Sequence, residues 1–397
     1  MAAAQAIPLL GSLVVARLYI PAEFGEFSTW LGAVMTLAVL VTGRLEMALT
    51  IEADGEPRRD AMAATLATTC AVAFFLLVLS WGLYLVVPEA RRFSAGLFFA
   101  LVPATVLMAV SQSWQSWAAA EGQYPALSWM RISQAAAVTG IQIMVGLLAP
   151  NAASLAIGHG LGMLLGIVVA TRWLPLHLNV FVPWSEFRKK TLKFWSSHRR
   201  FPLFALPADF INSAAGQLPL FFITSRFGAE ASGLYALTTR MLGGPISLLG
   251  TAVLDVFKRS AAESYRKNGH CREDYVRTFK ILGVLGIVLG LGIMLLAEPL
   301  FLLAFGETWR QAGVIAVWLM PMFAMRLVAS PLSYVMYIAG KQKSDLVWQC
   351  CLLGMTVFAF TMGPDLESSL KVYAAGYAAM YMIYLLVSYR YSRGVDR

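Results

Sequence analysis

Several ionisable side chains of this chain stand inside or at the edge of long apolar stretches, where a charge needs a physical reason. They are Arg44 and Glu46, Arg131, Asp209, Arg240 and Arg326. A charge at the centre of a bilayer costs about 2.5–3.5 kcal/mol on insertion scales, so it faces a cavity or a partner. Arginine suits an anion there, because its guanidinium stays protonated and binds phosphate or carboxylate oxygens bidentately. A buried carboxylate suits proton exchange, since burial disfavours its charged form. Asp209 is therefore the candidate for ion coupling, with a permanent salt bridge as the alternative. Arg44 has an alternative in a local pair with Glu46 or a cap at the membrane edge. Arg240 has one in a helix-to-helix lock with Asp209, and Arg131 has one as an interface anchor. Arg326 has no charged neighbour in sequence. Asp255 and Lys280 lie near the ends of apolar runs, where snorkelling suffices.

Other chemistry finds little support. Cys70, Cys271, Cys350 and Cys351 form no CxxC pair, and the four histidines form no HExxH-like group, so neither a zinc site nor a disulfide framework is expected. No cofactor or metal is expected. No Walker motif occurs, which argues against ATP as the direct energy source. The run GVLGIVLGLG (283–292) lies in an apolar stretch, and Gly286 and Gly290 read as a helix-contact spacing, not a nucleotide loop. His159, between Gly158 and Gly160, reads as close helix packing. No basic-plus-aromatic module of nucleic-acid type stands outside the apolar runs.

The elements that carry these charges follow from composition. Of 397 residues, 58% are apolar and 13% charged, too few charges for a soluble chain of this length. The apolar runs are near 20 residues long, the thickness of a bilayer core, and continuous, which excludes strands with open edges in lipid. An all-α integral membrane protein of about twelve spans is expected, at roughly 2–18, 27–49, 61–87, 95–119, 127–148, 154–174, 201–224, 231–256, 278–304, 311–338, 345–363 and 369–389. With both termini in the cytoplasm, about 19 basic residues fall in inner segments, against Arg17, Arg91, Arg92, Arg226 and Arg310 outside. That bias also accounts for the net charge of +9.

The longest hydrophilic connection, about 175–200, divides the chain near its midpoint. It suggests a six-span lobe over 1–180, a basic linker over 181–200 and a second six-span lobe over 201–397. Pro183-Trp184-Ser185 predicts the start of an interfacial helix, with Trp184, Phe187, Leu192 and Trp195 on one side and Lys189, Lys190 and Lys193 toward the other. A short repeat relates Arg17…Ala22-Glu23…Gly25 to Arg226…Ala229-Glu230…Gly233, as in transporters built from two related halves.

The segments ARLYIPAEFGEFSTW (16–30), RLEMAL (44–49), RFPLFALPADFINSAAGQLPLFFITSRFGAEASGLYALTTRML (200–242), PISLLGTAVLDVF (245–257) and FGETWRQAG (305–313) resemble the polysaccharide transport family. This family belongs to the multidrug/oligosaccharidyl-lipid/polysaccharide exporter superfamily and includes Wzx-type O-antigen flippases. The resemblance implies two lobes around a central cavity, alternating access in a bacterial inner membrane, and no enzymatic step. It implies an oligosaccharide on undecaprenyl pyrophosphate as substrate, with membrane lipid, a polysaccharide polymerase and a chain-length regulator as partners. On that reading Arg44, Arg240 and Arg326 contact the diphosphate, with Arg17 and Arg131 behind them. Trp114 and Trp117, at the inner end of the fourth span, are candidates for sugar stacking, the alternative being an interfacial belt. Competing readings are a drug or cation antiporter of the same superfamily, which would favour buried carboxylates over arginines, and a membrane polymerase or ligase, which would favour a sizeable outer loop.

Overall fold

The computed structural model describes residues 2–86, 94–175 and 183–394, and their regular structure is helical throughout. Arg91, Arg92, His177 and Arg397 lie outside the described residues. The helices are α1 (Ala2–Leu18), α2 (Pro21–Val41), α3 (Glu56–Val86), α4 (Ala95–Ala120), α5 (Tyr124–Gly146), α6 (Ala152–Trp173), α7 (Trp184–Ser197), α8 (Leu206–Asn268), α9 (Arg272–Phe305), α10 (Arg310–Leu332), α11 (Val335–Ile338), α12 (Gln342–Met362) and α13 (Leu366–Ser392). Each expected span is occupied by a helix. Among the described residues nine helical stretches are long and apolar enough to cross a membrane. One of them contains α8, which is broken into two arms at Gly228 (φ 87°, ψ 177°).

Local chemistry sets many of the ends. Pro21 opens α2, where its missing N–H costs nothing. The Asn151 side chain accepts from Ser154 N at 2.9 Å and caps α6, and Asp365 caps α13 through Ser368 N at 2.7 Å. The second span differs from expectation: α2 begins at Pro21 and stops at Val41, and residues 45–50 form a separate 3₁₀ turn. Arg44 and Glu46 therefore stand in a corner after the helix rather than inside it.

The surface is apolar where a soluble protein would be polar. Phe74, Phe75, Val78 and Trp81 on α3 and Val284, Val288 and Leu295 on α9 are exposed. With helical backbone satisfied internally, such faces suit hydrocarbon.

Two compact units are present, Met1–Gln217 and Leu218–Arg397. In the N-terminal unit α5 and α6 pack almost backbone to backbone. A Cβ added at Gly162 would overlap Val138 Cα, and one at Gly158 would meet Gln142 Cα at 2.9 Å. Small residues at this spacing permit such an approach. His159 meets the rings of Phe27 and Trp30, so its place is indeed in helix packing. In the C-terminal unit, Thr238 on the second arm of α8 donates to Ala312 O at 2.9 Å, and Gly313 lies against the Ala297–Glu298 backbone of α9. The expected Gly286–Gly290 contact is half met. A Cβ at Gly286 would meet Ala324 O of α10 at 3.5 Å, but one at Gly290 would meet nothing within 4 Å.

The predicted linker helix forms as α7. It docks on the start of α3: Lys190 reaches Glu56 at 3.1 Å and Asp60 at 3.0 Å, and Trp195 Nε1 donates to Thr68 Oγ1 at 3.0 Å. Hydrogen bonds to Asp60 and Glu56 hold the Lys190 ammonium above its usual pKa. Trp184 and Leu192 remain exposed, as an interfacial helix requires.

Candidate functional site

The N-terminal unit concentrates charge at one corner. Gly43 (φ 60°) and Arg44 (φ 58°) both adopt the left-handed conformation, which is uncommon for a non-glycine residue. The reversal throws the Arg44 guanidinium between two carboxylates. Nε donates to Asp209 Oδ2 at 2.6 Å and an Nη donates to Glu46 Oε1 at 3.0 Å. The Arg44–Glu46 pairing foreseen as an alternative is present, and Asp209 pairs with Arg44. Glu46 is the most enclosed of the three, its side chain 3% accessible against 35% for Asp209. Its second oxygen, Oε2, has no hydrogen-bond partner among the described residues. One guanidinium thus serves two carboxylates, and the cluster carries an excess negative charge. Two of the five guanidinium N–H groups are engaged, so an oxyanion reaching Arg44 can take the remaining donors or displace a carboxylate. Sequence reasoning treated Glu46 as a neighbour of Arg44 and missed it as the buried acid. Its spacing two residues from Arg44 was the available signal.

A second polar group lies between α4 and α5. Arg131 Nε donates to Gln115 Oε1 at 3.0 Å, and Gln134 Nε2 donates to Ser111 Oγ at 3.2 Å. The two tryptophans expected to meet sugar are elsewhere. Trp114 is fully buried, packed with Met130, Leu127 and Ala170, and Trp117 sits in the core beside Leu49 and Met62. Neither indole presents a face on which a sugar can stack in this conformation. Arg17 is exposed at the end of α1.

In the C-terminal unit Arg326 is exposed on α10 and lies within electrostatic range of Tyr235 and Tyr381. Those tyrosines belong to a stripe that sequence reading passed over. Tyr373, Tyr377 and Tyr381 recur at four-residue spacing on α13, with successive ring centroids 5.2 and 5.1 Å apart, and Trp348 stacks on Tyr384 at 4.1 Å. Tyr373 also hydrogen-bonds Tyr235. Arg240 is half-buried on the second arm of α8. Asp345, also missed, is buried and accepts from Gln349 Nε2 at 2.8 Å, Tyr337 OH at 3.2 Å and Tyr384 OH, which ties α12 to α13.

Comparison with known proteins fits this arrangement into a family. A family model described as "Polysaccharide biosynthesis protein" matches residues 14–314. The chain belongs to that family. Within the matched stretch of this polysaccharide biosynthesis protein lie Arg17, Arg44, Arg131, Asp209 and Arg240, whereas Arg326 lies beyond it. One curated relative, the teichuronic acid biosynthesis protein TuaB of Bacillus subtilis (strain 168), is 24% identical over 201 residues. That alignment spans 48% of this chain and 42% of the relative, so the chain matches less than half of that protein's length. Among solved structures, the lipid II flippase MurJ in an inward closed conformation superposes with a TM-score of 0.72 at 13% identity, over 98% of this chain and 86% of that one. An inward-facing multidrug resistance MATE family transporter of the MOP superfamily superposes with a TM-score of 0.63 at 14% identity, over 98% and 94%. The fold of this multi-pass membrane protein is therefore that of the MurJ and MATE transporters.

Proposed function

We infer that this polysaccharide biosynthesis protein is a flippase for an oligosaccharide linked to undecaprenyl pyrophosphate. It carries this substrate from the cytoplasmic to the outer leaflet of a bacterial inner membrane by alternating access, with both termini cytoplasmic. The observation that carries the reading is the Arg44 corner: an arginine at the end of a spanning helix, held by two carboxylates, the more exposed of which a diphosphate can replace. A phosphate oxygen and a carboxylate oxygen make the same charge-assisted bonds to guanidinium, so a diphosphate can take the place of Asp209, the more exposed of the two partners, at little cost. Protonation of Asp209 or Glu46 weakens the competing pair and favours substrate, which would couple a proton to the lipid headgroup. Arg240 and Arg326 serve as further headgroup contacts, with Arg17 and Arg131 behind them. Tyr377, the half-buried ring of the α13 stripe, replaces Trp114 and Trp117 as the sugar-contact candidate, since an aromatic face with a polar tip suits a carbohydrate, while Tyr373 and Tyr381 are buried like those tryptophans.

The test is deletion in the host, complemented by wild type, Arg44→Ala and Arg326→Ala at matched membrane levels. Surface polymer and cytoplasm-facing lipid-linked oligosaccharide are then measured. The expected result is loss of polymer with intact repeat units trapped on the inner face. Unpolymerised units on the outer face would show translocation to be intact and would replace the flippase with a polymerase or assembly subunit. The excess negative charge of the Arg44 corner favours one second reading, antiport of a cation. Proton-driven efflux of a cationic dye from liposomes holding the purified protein, without movement of lipid-linked sugar, would establish it instead.

A further inference from the structure

The C-terminal unit contains an open apolar groove between α9, α10 and α13, of about 820 Å³. Gly283, Gly286 and Gly290 form its floor on α9, with Met320 and Ala324 from α10 and Leu386 from α13. The three glycines recur at spacings of three and four on one helix face, so missing side chains create the trough. A Cβ at Gly283 or Gly290 would meet nothing within 4 Å.

One end of the groove opens into a second cavity of about 710 Å³. Lys280 and Val276 line both. The second cavity is basic: His270, Arg272, Arg277, Lys280 and Arg393 surround one carboxylate, Glu273. Arg277, Lys280 and Arg393 are exposed, and none has a carboxylate within ion-pair distance among the described residues. The rim is fixed. Cys271 N donates to Ser392 O at 2.8 Å, Tyr275 OH donates to Leu385 O at 3.0 Å, and Arg272 Nε donates to Tyr389 OH at 3.2 Å.

Charge and shape call for one class of ligand. Cations without a carboxylate partner among the described residues favour an anion at the mouth, and the apolar trough behind them favours hydrocarbon. Basic pockets between spanning helices on the inner side bind anionic lipid headgroups in this way. Length selects among lipids. From Lys280 to Met294, α9 rises about 21 Å at 1.5 Å per residue. That is the depth of one leaflet with its headgroup layer, about 20–22 Å. A diacyl phospholipid standing in one leaflet fills such a trough, whereas a long polyprenyl chain overruns it.

We propose that the C-terminal unit holds an anionic diacyl phospholipid, its phosphate among Arg277, Lys280 and Arg393 and its chains in the groove of α9, α10 and α13. The site lies within one unit and is distinct from the residues assigned to transport. Full-length protein in detergent would be titrated with dioleoyl phosphatidylglycerol or dioleoyl phosphatidylcholine, and bound lipid counted by native mass spectrometry. Wild type is expected to bind phosphatidylglycerol at least tenfold more tightly than phosphatidylcholine. Arg277→Gln with Lys280→Gln loses that preference, while Arg277→Lys with Lys280→Arg keeps it and controls for folding. Gly290→Leu, which fills the trough, weakens both lipids. Equal binding of the two lipids by wild type, or an unchanged preference in the neutralised variant, overturns the proposal. So does preferential displacement of phosphatidylglycerol by undecaprenyl phosphate, which would assign the groove to the carrier lipid instead.

Discussion

Arg44, Glu46 and Asp209 share one guanidinium among three side chains of unequal burial, and the inequality makes their roles separable. Removing Arg44 leaves Glu46 enclosed and uncompensated. Breaking such a buried pair costs about 3 kcal/mol, mostly from the stranded charge. Arg44→Ala should therefore lower the thermal midpoint in detergent clearly, and adding Glu46→Gln should recover most of the loss. Asp209 is more exposed, so Asp209→Asn should cost less than about 1 kcal/mol. Additive losses in the Arg44→Ala, Glu46→Gln pair would show that the two groups are not coupled and would remove the basis for a proton switch there. Arg58 offers a contrast. As a sequence it read as one more inner-loop cation. In the fold it is buried, donating to Leu49 O, Glu52 O and Ala120 O and pairing with Glu121 at 3.0 Å and with Asp54. Nothing in its local sequence distinguishes it from its neighbour Arg59, because Leu49, Glu52 and Asp54 stand just upstream of both and the remote partners, Ala120 O and Glu121, lie at the end of α4 and the turn after it.

At the scale of elements, close packing and capping make opposite demands on nearby positions. Gly162 lies on the α5 backbone, so Gly162→Val forces α5 and α6 apart, an overpacking cost of about 3 kcal/mol. A Cβ at Gly160, two residues earlier, would have its nearest foreign atom at 4.0 Å, and Gly160→Ala should leave the stability within about 0.5 kcal/mol of wild type, with little change in thermal midpoint. Equal effects of the two substitutions would mean that the α5–α6 contact is looser than described. Asp365 makes a prediction in pH. Its carboxylate accepts the Ser368 backbone N–H and then the Ser368 side chain, which holds its pKa below the usual aspartate range. A depressed pKa in the fold contributes stability above the unfolded value and loses it as pH falls through the folded value. Protection of the first-turn amides of α13 against hydrogen exchange should therefore fall as pH drops below about 4. Asp365→Asn should keep the cap and flatten that dependence, since asparagine caps equally well without titrating. A slope that survives in Asp365→Asn would assign it to another group.

For the whole molecule, the spans were legible because hydrocarbon thickness imposes a length on each apolar run, and α7 was legible from Pro183 and its alternating faces. The second span was misplaced because its apolar run continues through Leu45 and Leu49, while the break depends on the backbone of Gly43 and Arg44. The Arg44–Asp209 pair was illegible because it joins residues 165 positions apart. Burial of Trp114 and Trp117 was equally hidden, since interfacial and core tryptophans look alike in sequence. Orientation follows from a consistency within the N-terminal unit. Arg58 ties the turn after α4 to the start of α3, and Lys190 ties α7 to the same start, so these segments share one membrane face. Glu23 accepts from Ala152 N at 2.5 Å and joins the α1–α2 corner to the start of α6. Three successive spans, α4 to α6, put the turn after α4 and the turn before α6 on opposite faces. The basic face should be cytoplasmic by the positive-inside rule. In a cysteine-free background, Ser185→Cys and Gln123→Cys should react with an impermeant maleimide only in inverted vesicles, and Ala149→Cys only in intact spheroplasts. The reverse pattern would turn the molecule over and with it the proposed direction of transport. Labelling of Ser185→Cys and Gln123→Cys from different sides would break the link that Arg58 and Lys190 make between α3, α4 and α7.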